Sequence, residues 1–132
     1  MKVLKDTKWF KFHNANPKNR RSGDCVIRAI STATGKSWEE VLTDLCKLAL
    51  QEKRIPNEVE CYGKYLENLG WKKQKQPRKS NNTKFTGREF VTHFKGVAIA
   101  HIGGNHIVCI KEGQVWDTWD STEGCIGNFW VK

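Results

Sequence analysis

Gly96-Val97-Ala98-Ile99-Ala100-His101-Ile102-Gly103-Gly104-Asn105-His106-Ile107-Val108-Cys109-Ile110-Lys111-Glu112-Gly113-Gln114-Val115-Trp116-Asp117-Thr118-Trp119 is the stretch where the pattern of the chain changes. Residues 97–102 and 106–111 are short apolar runs bounded by glycine turns, and 114–119 follows at once after Glu112-Gly113. Such runs predict antiparallel strands joined by tight turns. A last short strand is expected at 129–131.

Upstream of Gly96 the period is helical. Asp24 stands before Cys25, and Val26, Ile27, Ala29, Ile30 and Ala33 give a nearly continuous apolar surface that Gly35 ends. This predicts a buried helix opening at Cys25, with Asp24 as its N-cap. Ser37-Trp38-Glu39-Glu40 is a capping box for a second helix, broken at Pro56-Asn57. A third is expected over 58–69, stopped by Gly70. Thr86-Gly87-Arg88-Glu89 is a second capping box, opening a short helix that carries Phe90, Val91 and Phe94. Residues 1–23 read as an irregular arm, and the basic stretch 72–79 as a loop. Helices first and an antiparallel sheet last indicate α+β, in one domain over 1–132: arm 1–23, mainly helical 24–94, sheet 96–132.

At 132 residues, with 38% hydrophobic and 11% aromatic content, the composition is that of a globular chain. Six Trp lead one to expect that part of the set lines a groove. No run approaches the roughly 20 apolar residues of a membrane span, and the start lacks a signal-like apolar segment, so a cytoplasmic protein without membrane contact is expected. The five cysteines (25, 46, 61, 109, 125) fit a reducing compartment and include no close pair suited to structural zinc. The net charge of +9 invites a nucleic-acid partner, yet no nucleic-acid-binding motif accompanies it; solvated basic loops explain it equally well.

Cys25 is the residue that stands out. A thiol in the first turn of a helix meets unpaired backbone N–H groups and the positive end of the helix dipole, both of which favour the thiolate. Gly23 lets a substrate backbone approach. Asp24 opposes activation by its charge, unless as an N-cap it turns toward the helix N–H groups. His106, at a strand start, is the candidate base. A two-residue turn at Glu112-Gly113 pairs Ile110 with Val115, so His106, Val108, Val115, Asp117 and Trp119 share a face. Asp117 then lies diagonally across from His106. A three-residue turn would bring Asp120 there instead, so both acids stay open, with Asp117 preferred. His101 and His106 lack a third ligand, so no metal and no cofactor are expected. His13 and His93 read as surface residues.

The order of a cysteine at a helix start, a histidine at a strand start and an aspartate on the next strand resembles the papain-like cysteine peptidases. The likeness is greatest to the compact bacterial and phage members and to bacteriocin leader peptidases. It rests on Gly23-Asp24-Cys25-Val26-Ile27-Arg28-Ala29-Ile30 with Ala33-Thr34-Gly35-Lys36, and on Asn105-His106-Ile107-Val108 with Gly113 and Trp116-Asp117-Thr118-Trp119-Asp120. These motifs cover about a third of the chain. The resemblance implies a papain-like fold and a cysteine hydrolase of peptide or protein substrates, working through a thioester. It also implies an oxyanion donor a few residues before the nucleophile, often Gln. Here Asn19 holds that offset, with Asn16 and Asn14 behind it, although Asn19 reads equally as a turn residue. The candidate catalytic set is therefore Cys25, His106, Asp117 and Asn19. Amidase or acyltransferase chemistry fits the same set. The alternative from another class is a non-catalytic module that binds protein or nucleic acid through basic loops and exposed Trp.

Overall fold

A computed structural model describes residues 2–132. Its elements, in chain order, are β1 (Phe10–Phe12), α1 (Cys25–Thr34), α2 (Trp38–Glu52), α3 (Val59–Asn68), β2 (Lys72–Gln74), α4 (Gly87–His93), β3 (Ala98–Ile102), β4 (His106–Lys111), β5 (Gln114–Asp117) and β6 (Ile126–Val131). The helix boundaries follow the local chemistry. Gly35 closes α1 in the left-handed conformation (φ +79°), returning its N–H to the Ser31 carbonyl at 3.0 Å. Both capping boxes form: Ser37 Oγ accepts from Glu40 N–H, and Thr86 Oγ1 accepts from Glu89 N–H.

The strands form one mixed sheet in the order β1-β5-β4-β3-β6-β2. The Glu112-Gly113 turn has two residues with positive φ (55° and 73°), and it sets Lys111 against Gln114 and Ile110 against Val115. The expectation of a purely antiparallel sheet confined to 96–132 is corrected at both edges. β1 comes from the supposed irregular arm and runs parallel to β5, pairing Phe10 with Val115 and Phe12 with Asp117. β2 comes from the supposed basic loop and pairs antiparallel with β6. Both strands are three residues long, too short to display a period. β2 also carries charged side chains that suit an edge strand, because only one side is paired and water meets the other. β5 ends at Asp117, earlier than expected, and β6 begins at Ile126, before the expected 129.

Both faces of the sheet are covered. α1, α2 and α3 bury Ile99, Ile107 and Trp130 with Ile30, Leu45 and Leu66 on one face. α4 packs Phe90 and Val91 on the other, against Ala100, Ile102, Val108 and Ile110. Strands buried on two faces read as continuous apolar runs, as 98–100 and 107–110 do. Two of the six Trp, Trp71 and Trp130, are core residues, while Trp119 is exposed. Among the described residues no helix is long and apolar enough to cross a membrane.

The buried position of Phe10 makes β1 part of the fold. Phe10→Ala is expected to cost about 3–5 kcal/mol in a denaturant titration. A loss under about 0.5 kcal/mol, the usual effect of a surface change, would return residues 1–23 to the status of a loose arm.

Candidate active site

Cys25 opens α1, and the helix begins with Arg28 N–H bonding the Asp24 carbonyl at 2.9 Å. Asp24 is the N-cap by position, but its side chain makes no capping bond. Its carboxylate accepts instead from Arg28 Nε (2.9 Å), Trp38 Nε1 (2.9 Å) and Asn16 Nδ2 (3.2 Å). This corrects the expected cap. The Asp24 backbone (φ −107°, ψ 23°) lies outside the extended region used by capping residues, and three side-chain donors take the carboxylate. Burial pushes the Asp24 carboxyl up, but Trp38, Asn16 and Arg28 outweigh it and hold it below its usual range. The N–H groups of Cys25, Val26 and Ile27 consequently have no partner among the described residues. A Cβ added at Gly23 would meet nothing within 4 Å, so the space beside this residue is open.

The Cys25 thiol is partly buried, which alone would raise its pKa. The His106 ring, the Ile107 N–H and the Arg28 cation overcome that and bring it below the ordinary thiol value. Cys61 and Cys109 go the other way. Burial pushes both up, Cys109 to about 12 even though the Lys111 charge opposes the rise.

His106 Nε2 lies 2.6 Å from Asp117 Oδ2, leaving Nδ1 for the sulfur. Burial would lower the imidazole pKa, but the Asp117 hydrogen bond and the Cys25 thiol raise it to about 9. The Trp119 ring lies against the imidazole with centroids 5.0 Å apart. The Asp117 side chain is only 2% exposed. Besides His106, it accepts from Arg28 Nη1 (3.2 Å), Thr118 N–H (2.7 Å) and Ser121 Oγ (3.3 Å). Its main chain is held from β1, whose register pairs it with Phe12 and whose next residue, His13, donates N–H to its carbonyl at 2.9 Å.

The structure thus brings Cys25, His106 and Asp117 together and leaves Asp120 out. Asp120 is exposed and accepts from Thr122 N–H and Oγ1 within its own loop. Asn19 is exposed in a left-handed turn (φ 54°), with its N–H on the Asn16 carbonyl. Its side chain makes no hydrogen bond among the described residues. Asn16 is the buried member of the trio and is committed to Asp24, Lys18 and Arg20. His93 is exposed as expected, whereas His13 is half-buried, edge-on to Trp116 at 5.4 Å. No group of His, Cys, Asp or Glu suited to a metal occurs among the described residues.

Two features escaped the sequence reading. Arg28 joins Asp24 to Asp117, and its only signal was its spacing, three residues after Cys25 and four after Asp24, on one helix face. Tyr62 Oη lies 2.9 Å from His101 Nε2, beside the Cys25 thiol, and burial and that thiol keep the phenol protonated. Since His101 is also bonded to the Asn128 backbone, Nε2 is the acceptor and the phenol donates.

A cleft of about 400 Å³ adjoins His106, lined by Ile102, Gly103, Asn105, Trp119, Ser121 and Gly124 among others. A Cβ at Gly124 would come within 3.1 Å of Gly103 N, so glycine is what lets this loop close on the hairpin turn. Compared with known protein families, curated proteins and solved structures, the chain matches none.

His106 is expected to titrate near pH 9 by NMR, and both Asp117→Asn and Cys25→Ala should lower the midpoint by removing a negative partner. Because the folded value exceeds the ordinary 6.5, the stability this residue adds is complete below about pH 6.5 and lost as pH rises through about 9. A wild-type midpoint near 6.5 would contradict the site as described.

Proposed function

We propose that the protein is a cysteine-dependent hydrolase of peptide or isopeptide bonds, with Cys25 as nucleophile, His106 as general base and acid, and Asp117 orienting the imidazole. One observation carries this reading: a thiol at a helix start faces an imidazole whose far nitrogen is held by a buried carboxylate. The likeness of the sequence motifs to papain-like peptidases supports the same assignment.

The groups dictate the steps. His106 holds the Cys25 proton on Nδ1, and the sulfur adds to the acyl carbonyl, forming a C–S bond and an oxyanion. The unpaired N–H groups at the start of α1 are the candidate donors to that charge, with the unbonded Asn19 amide as the candidate second donor. His106 returns its proton to the leaving nitrogen as the C–N bond breaks, giving a thioester and a free amine. Water, deprotonated by His106, releases the acid and restores the thiol. An amine acceptor in place of water would give acyl transfer by the same steps.

The binding-module reading draws on the basic segments, and their placement weakens it. The basic residues around β1 and those around β2 sit at opposite edges of the sheet, so they do not merge into one stripe. Lys79 and Arg88 are also paired, with Glu89 and Glu123.

Iodoacetamide at pH 7 should alkylate Cys25 on the order of 10- to 30-fold faster than an ordinary thiol, which is only a few per cent thiolate there. His106→Ala should remove that advantage, and Cys25→Ala should abolish the fast labelling, leaving only the ordinary rate of the exposed Cys46 and Cys125, together with any cleavage of a peptide library. Unchanged fast labelling in His106→Ala would overturn the proposal.

A further inference from the structure

We propose that Arg28 is a positioning residue of this site: it fixes the rotation of the Asp117 carboxylate and ties it to the start of the nucleophile helix. The inference rests on the hydrolase reading above and deepens it.

The Arg28 side chain is 12% exposed and reaches two carboxylates from different parts of the chain. Its Nε–H donates to Asp24 Oδ1 at 2.9 Å. Its Nη1 carries two hydrogens and donates to Asp117 Oδ1 and to Thr118 Oγ1, both at 3.2 Å. The division of the Asp117 oxygens is what matters. Oδ1 is occupied by Arg28 and the Thr118 N–H, whereas Oδ2 is turned to His106 and Ser121. A carboxylate held on one oxygen presents the other in a single direction, and that direction sets the imidazole plane. Asp24 is fixed in turn by Trp38 and Asn16 on its second oxygen. The chain Trp38–Asp24–Arg28–Asp117–His106 therefore returns to Cys25, which rides on the same helix as Arg28.

The guanidinium also sets the charge balance. Asp24 and Asp117 are both nearly buried, and two carboxylates beside a thiolate would oppose its formation. Arg28 is the cation between them. The groups facing Cys25 are His106 and the Ile107 N–H from β4, Arg28 from α1 and Tyr62 from α3. Those facing His106 are Asp117 and Cys25. Lysine is no substitute, since one ammonium lacks the planar fork that reaches two acceptors at once.

The test is the pH profile of Cys25 alkylation by iodoacetamide in the full chain, with folding followed by far-UV circular dichroism. Arg28→Met is expected to move the acid limb to higher pH and to slow labelling at pH 6 about tenfold or more. Arg28→Lys keeps the charge and loses the bridge, so its acid limb should fall between the two. A profile that is wild-type in both variants, with only the melting temperature lowered, would show a purely structural role and overturn the inference. If Arg28→Met does not fold, Arg28→Lys decides alone: a displaced limb supports the role and a wild-type limb overturns it. Sensitivity of the wild-type profile to His106→Ala separates the two claims. Where that sensitivity is present and the Arg28 variants match wild type, only the Arg28 role falls. Where it is absent, the hydrolase reading falls and takes this one with it.

Discussion

A carboxylate withdrawn from water must be fully supplied with donors, and Asp117 imposes that demand on this molecule. Its side chain is all but inaccessible, yet it accepts from an imidazole, a guanidinium, a backbone N–H and a serine hydroxyl. Meeting the demand draws β4, α1 and the loop after β5 to one point. The main chain of the same residue is gripped by β1 from the opposite side. Most of what places the candidate site is therefore the solvation shell of one acid, built from protein instead of water.

The same electrostatics separate the cysteines. Burial raises Cys61 and Cys109, which are ordinary core thiols. Cys25 is also partly buried, but it faces an imidazole, a backbone N–H and a nearby guanidinium, and these reverse the sign. Asp24, which by its charge ought to oppose a neighbouring thiolate, has its carboxylate turned to Trp38, Asn16 and Arg28. An adverse neighbour in the sequence thus becomes part of the frame that holds a favourable cation in place.

The parts of the fold readable in the sequence are those governed by local rules. Helix starts were legible from capping boxes at Ser37 and Thr86, and the end of α1 from Gly35. The hairpin register, and hence the choice of Asp117 over Asp120 as the acid beside His106, followed from a two-residue turn at Glu112-Gly113. What escaped depends on distant partners. Phe10-Lys11-Phe12 and Lys72-Lys73-Gln74 are strands only because β5 and β6 offer them an edge. Arg28 looked like one polar residue on a buried helix, since Asp117 stands 89 positions away. Asp24 read as a cap because capping is the nearest use for such a residue, and its three actual donors come from side chains the local pattern does not reveal.

The parallel pairing of β1 with β5 has a kinetic meaning. Gln114 bonds back to Phe10 across 104 residues and to Thr7 across 107, and the β1–β5 pairing beside these bonds closes the longest loop in the sheet. Contacts of such separation carry a high entropic cost of closure and tend to form after the local hairpins and helices are in place. Because that pairing also grips the main chain of Asp117, the seat of the acid is completed when the two remote segments meet. A half-folded chain would carry Cys25 on its helix and His106 on its hairpin with the third partner still loose. The environment that lowers the Cys25 thiol pKa would then be complete only in the finished fold, and absent from the intermediates that precede it.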